Sequence, residues 1–137
     1  MKPVTVSVPS LEVFLEPLQV FVQRVGAVAG VEEDELTSLS IAVIEIVKNG
    51  MEHGNGMDGD KPVSIRMEVL PGRLQIQVED QGSWVPGEQI GYKPAEGEEI
   101  FSDRGRGILI ARNLARWVEF GLTEDGRTQA TLVWPLT

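Results

Sequence analysis

The stretch LSIAVIEIVKNGMEHG, residues 39–54, constrains this chain more than any other, because strong helix formers, an apolar run and a spaced set of reactive side chains coincide in it. Glu45, Asn49 and His53 recur at four-residue intervals, so on a helix they stand one above another on one face. Ile44, Val47 and Met51 occupy the neighbouring stripe and are expected in the core. A carboxylate and a carboxamide one turn apart at the edge of a core suit two tasks. Glu45 can hold or activate a water or hydroxyl as a general base, and the Asn49 side-chain oxygen is a hard ligand suited to Mg2+. The same three residues on a solvated helix face would do neither, so the choice between the two readings rests on what lies downstream.

The composition narrows the field. A chain of 137 residues with 42% hydrophobic content is about one domain, 1–137, with enough apolar surface for a real core. Its formal charge of -9 argues against a nucleic-acid backbone or an anionic membrane as main partner, since both reward clustered positive charge. Zero cysteines exclude disulfides, thiolate catalysis and Cys-ligated zinc, and a single histidine excludes a multi-histidine metal site. The first residues do not read as a signal peptide, and no run approaches the roughly 18 apolar residues of a membrane span. A cytoplasmic protein is the expectation by default.

In chain order, Val4, Val6 and Val8 alternate with Thr5 and Ser7, a short half-buried strand ended by Pro9. Ser10 is placed to cap the segment 11–29, where Leu11, Phe14, Leu15, Leu18, Phe21, Val22 and Val25 repeat at helical spacing. Pro17 predicts a kink there or a helix that properly begins near it, and Gly30 closes the segment. Residues 32–34 open the second helix, which should stop in the breaker-rich GNGMDGD. Two alternating runs, Val63, Ile65, Met67, Val69 and Leu74, Ile76, Val78, join across Pro71-Gly72 as an antiparallel hairpin and deliver Asp80 and Gly82. Residues 83–104 lack periodicity and read as a lid or disordered segment. Gly105 and Gly107 then begin a helix with Ile110, Leu114 and Trp117 toward the core and Arg106 free to face away. Strands over 117–122 and 128–134 form a second hairpin across TEDGR. The order β, α, α, β, β, α, β, β predicts an α+β protein, a two-layer sandwich with a mixed, mostly antiparallel sheet and helices on one face.

Three elements therefore converge: Glu45 and Asn49 on a helix, Asp80 and Gly82 at a strand end, and Gly105-Arg106-Gly107 at a helix start. Taken singly, Gly-x-Gly is a tight turn or a phosphate cradle, and Asp80 is a turn residue or the acceptor for a ligand's amino group. In this order and spacing they resemble the ATP-binding module shared by gyrase, histidine kinases and MutL, the GHKL superfamily, whose histidine-kinase-like ATPase fold is also called the Bergerat fold. Within it the chain is most similar to the small bacterial anti-sigma factor serine kinases. Their first motif, Glu-x-x-x-Asn with a further His, is filled by Glu45, Asn49 and His53; the Asp-x-Gly motif is filled by Asp80 and Gly82; the last is filled by Gly105 and Gly107. The likeness spans nearly the whole chain.

The resemblance implies ATP and Mg2+ as ligands, with Asn49 on the metal that bridges the phosphates and Glu45 as base for the phosphoryl acceptor. It also implies that Asp80 binds the adenine amino group, that Gly82 makes room for the base, and that Gly105 and Gly107, with Arg106 between them, receive the phosphates. His53 either lines the pocket or caps and packs near the helix end, and Thr128 falls where the superfamily often has a Thr near adenine. Lys93 and Arg104 bracket the lid, where they reach phosphates or remain solvated. The implied partners are an anti-anti-sigma (STAS-like) protein that accepts phosphate on a serine and a sigma factor that is sequestered. Homodimerisation is usual in the branch, and the apolar first strand and helix offer surface for it. Trp84 departs from the pattern, standing where larger members have a second Gly, and could narrow the adenine pocket. It favours the alternative of a non-catalytic module that holds a regulator. A third reading, an output domain cut from a longer signalling protein, fits less well with Met1 and the complete set of elements.

Overall fold

The computed structural model describes residues 1–83 and 117–137. Within them, five strands, β1 (Val4–Pro9), β2 (Pro62–Leu70), β3 (Arg73–Glu79), β4 (Trp117–Leu122) and β5 (Thr128–Pro135), form one sheet in the order β1-β2-β3-β5-β4. Every neighbouring pair among these strands is antiparallel. The two helices are α1 (Leu15–Ala29) and α2 (Leu36–Asn49). No helix among the described residues is long and apolar enough to cross a membrane.

The alternation read from the sequence becomes cross-strand rows. Val6, Ile65, Val78, Ala130 and Phe120 line up across the sheet, and Val4, Met67, Ile76, Leu132 and Val118 form the next row. These rows carry the core side of the sheet, with Ile65, Met67 and Ile76 fully buried. The intervening row of Thr5, Arg66, Gln77, Thr131 and Glu119 lies on the opposite, polar face. A period of two is what allows one sheet to be apolar on one side and wet on the other.

Leu39, Ala42, Val43, Ile46, Val47 and Met51 are buried in the same core cluster as the strand rows, and α1 adds Leu18 and Val22. Each of these side chains other than that of Ala42 contributes about 1.5–3 kcal/mol relative to exposure. The helices approach closely at Gly26, where a Cβ would come within 3.0 Å of the Leu39 side chain. The start of α2 is also tied to the sheet, since the Trp134 indole N–H donates to Glu35 Oε1 at 2.8 Å.

Two local expectations change. The first helix opens as a 3-10 turn, Glu12–Phe14, and becomes α-helical at Leu15, so that Pro17 falls in the first turn, where a missing N–H leaves no bond unmade. Ser10 consequently does not cap it. It is fully buried, its hydroxyl donating to the Lys61 carbonyl at 2.6 Å. The second helix begins with a 3-10 turn, Glu33–Glu35, and α2 ends at Asn49, where a π-helical turn, Gly50–Gly54, carries the chain into the glycine-rich segment.

Leu132, 1% exposed in the middle of a buried row, provides a test of this layering. Leu132→Ala is expected to cost about 2–5 kcal/mol by denaturant unfolding. Thr131→Ala, one residue away on the polar face, should cost less than about 1 kcal/mol. Equal losses would contradict the assignment of faces.

Candidate functional site

The phase of α2 decides where its reactive residues fall. With Val43, Ile46 and Val47 in the core, Glu45 is left half-buried at the margin, and Asn49 follows one turn later at 5% exposure. Side chains four apart on an α-helix lie about 5–6 Å from each other at Cβ, so the carboxylate and carboxamide share one face as expected. His53 does not continue that column. The step from Asn49 to His53 runs through the π turn, whose wider winding breaks the four-residue stacking. His53 is half-buried there and has an interaction of its own.

Asn49 has an unusual environment for a buried amide. Its Nδ2 has no hydrogen-bond partner among the described residues. Buried polar groups are paired in the great majority of cases, and an orphan costs about 1–3 kcal/mol. A carboxamide with unused capacity at this position fits a ligand that brings both a hard cation for the oxygen and anionic oxygens for the nitrogen.

Asp80 follows directly on β3 and is 3% exposed. Its Oδ1 accepts the Gly82 N–H at 2.7 Å, closing a tight turn around the carboxylate. The carboxylate lies against the π turn after α2, where a Cβ on Gly50 would sit 3.2 Å from Oδ2 and a Cβ on Gly54 would collide with the whole group. Gly82 in turn packs on the Gly54 backbone, where a Cβ would come within 2.6 Å of the Gly54 Cα. Three glycines thus let a strand end and a helix end meet without intervening side chains. Thr128, 2% exposed at the start of β5, is in register with this corner: the Asp80 N–H donates to its carbonyl at 3.1 Å, and its own N–H donates to the Gly82 carbonyl at 2.9 Å.

The sequence alone did not reveal Asn55, which reads as one more breaker in GNGMDGD. It is 2% exposed and joins four segments. Its Nδ2 donates to Ser10 Oγ at 2.8 Å, to the Lys61 carbonyl at 3.1 Å and to the Pro62 carbonyl at 3.0 Å, and its Oδ1 accepts the Gln81 N–H at 2.7 Å. No local pattern marks such a residue, because its side-chain partners lie 45, 6, 7 and 26 positions away.

The structure therefore brings together Glu45, Asn49, Asp80, Gly82 and Thr128 around the C-terminal end of α2, with His53 on the π turn beside them. Trp84, Lys93, Arg104, Gly105, Arg106 and Gly107, with the expected lid over 83–104 apart from Ser83, lie outside the described residues.

The comparisons with known proteins agree with this arrangement. Residues 8–134 match the model of the histidine kinase-like ATPase domain family. The chain is 28% identical over 116 residues to the serine-protein kinase RsbW of Bacillus subtilis, covering 81% of this chain and 72% of that protein. It is 27% identical over 111 residues to RsbW of Bacillus licheniformis, covering 77% and 69%. Among solved structures, the RsbU and RsbW domains of Rv1364c from Mycobacterium tuberculosis superpose with a TM-score of 0.65 at 18% identity, a likeness of fold that takes in 99% of this chain and 33% of that one. A five-stranded antiparallel sheet backed by two helices among the described residues, with Glu45, Asn49, Asp80 and Gly82 gathered at the end of α2 and a family model matched over residues 8–134, makes this chain a member of the histidine kinase-like ATPase domain family.

Proposed function

We propose that this protein is an ATP-dependent serine kinase of the anti-sigma-factor type, which phosphorylates an anti-anti-sigma partner and sequesters a sigma factor. The observation that carries the proposal is the corner at the end of α2, where the unpaired amide of Asn49 and the glycine-walled carboxylate of Asp80 stand on either side of Gly50. The similarity to serine-protein kinases supports the transfer of phosphate to a partner's serine.

In this reading Asp80 accepts a hydrogen bond from the adenine amino group, with Thr128 beside it and Gly82 leaving space for the base. Asn49 holds Mg2+, which when bound would neutralise phosphate charge. Among the described residues no three His, Cys, Asp or Glu side chains cluster as a metal cage. Mg2+ keeps several waters and takes few protein ligands where substrate phosphates complete its shell, so the Asn49 oxygen can serve as one hard ligand there. Phosphoryl transfer depends on positioning and charge more than on covalent help. Glu45 takes the proton of the serine hydroxyl as its oxygen bonds to the γ-phosphorus and the bond to the ADP oxygen breaks. Gly105, Arg106, Gly107 and Arg104 receive the phosphates, and His53 lines the pocket.

Trp84 supports a second reading, a module that holds its regulator without chemistry. Thermal unfolding separates the two. Mg-ATP at about a hundred times its dissociation constant should stabilise the protein by about 2.7 kcal/mol, a rise of a few degrees, and Asn49→Ala should lose the rise. An unchanged melting temperature at millimolar Mg-ATP would favour the non-catalytic module. Glu45→Gln should retain the shift while transfer to the partner serine, followed with radiolabelled ATP, falls by about 10^2–10^4-fold. Transfer surviving intact would remove Glu45 as the base. Gly54→Ala should lower the binding of ATP, since its methyl group must displace the Asp80 carboxylate; wild-type affinity, read by titration calorimetry, would contradict the proposed placement of the base.

A further inference from the structure

Building on that nucleotide reading, we propose that Asn55 is a positioning residue for adenine recognition. It does not touch the base itself; it sets the backbone on which Asp80 is presented.

The argument starts from how Asp80 is held. Its carboxylate is confined between its own turn, through the Gly82 N–H, and the wall made by Gly50 and Gly54. Both sides of that confinement are backbone, so the position of the carboxylate depends on how the π turn and the end of β3 sit relative to each other. Gly54 precedes Asn55, and Asp80 and Gly82 flank Gln81. A side-chain hydrogen bond ties these two segments together, from the Gln81 N–H to Asn55 Oδ1 at 2.7 Å. Asn55 is itself immobilised: its backbone N–H donates to the Gly50 carbonyl at 2.9 Å, and its side-chain nitrogen is anchored on Ser10, Lys61 and Pro62. Ser10 completes the clamp by donating to the same Lys61 carbonyl. A shorter side chain at position 55 could not bridge to Gln81, and an apolar one would leave the Gln81 N–H without this acceptor.

The consequence is specific. Releasing the clamp lets the Asp80 carboxylate relax from the wall, so the contact with the 6-amino group of adenine is weakened while contacts with ribose and phosphates are retained. Discrimination should fall before general affinity does.

The test compares ATP with purine riboside triphosphate, which lacks the 6-amino group, by calorimetric titration of the full chain with Mg2+. Wild type should prefer ATP. In Asn55→Ala that preference should fall about tenfold, the equivalent of one hydrogen bond, with affinity for purine riboside triphosphate held. Hydrogen exchange should show the Gln81 amide losing protection. An unchanged preference, or an equal fall for both nucleotides, would overturn the role of Asn55 while leaving the nucleotide site intact. Wild type that binds neither nucleotide would instead overturn the preceding functional reading, and this one with it. If Asn55→Ala does not fold, Ser10→Ala removes one anchor of the clamp and should lower the preference in the same sense; no change in its preference would likewise overturn the proposal.

Discussion

The rotation of α2 about its own axis is the constraint on which the rest depends. Leu39, Ala42, Val43, Ile46 and Val47 are all within a few per cent of complete burial, and Leu39 also packs where Gly26 brings α1 close. Turning the helix by one residue would carry the Glu45 carboxylate into an apolar layer, where an unpaired charge costs far more than any contact on the far side would return. With that phase held, Glu45 lies at the margin and Asn49 is delivered to the helix end. The sheet supplies the matching surface through Ile65, Met67, Ile76 and Leu132.

The corner at the end of α2 is made from backbone more than from side chains. Gly50, Gly54 and Gly82 bring a π turn and a strand end into direct contact around one carboxylate. Glycine loses more conformational freedom on folding than other residues, by roughly 0.5–1 kcal/mol against alanine within regular elements. The Asn55 and Ser10 hydrogen bonds offset part of that loss by binding the same segments together. The result is a rigid floor with one buried amide, that of Asn49, left unpaired among the described residues. Such a group is an expense in a purely structural core and an asset where a ligand arrives.

Much of this was legible beforehand because the signals were local. Alternation located the first three described strands, the TEDGR turn placed the last two as a hairpin, and Pro71-Gly72 set the other hairpin. Helical spacing placed Val47 and Met51 in the core, and Pro17 marked the start of α1 within a few residues. What the pattern missed, it missed for identifiable reasons. Ser10 looks like a cap because caps are recognised by residue type and position, yet its hydroxyl is claimed by a carbonyl 51 residues away. The column of Glu45, Asn49 and His53 assumes one helical winding throughout, and the change to a π turn after Asn49 leaves no mark in composition.

The sequence by itself determined the elements, their faces and the identity of the motif residues, because periodicity and residue chemistry act over a few positions. The tertiary structure decided which of those residues meet. Asp80 reaches the end of α2 because strand pairing and helix packing close loops of tens of residues, and glycines with no side chain to announce them permit the contact. Asn55 became a clamp because its side-chain partners come from three other segments, an arrangement of three-dimensional proximity that no single stretch of the chain encodes.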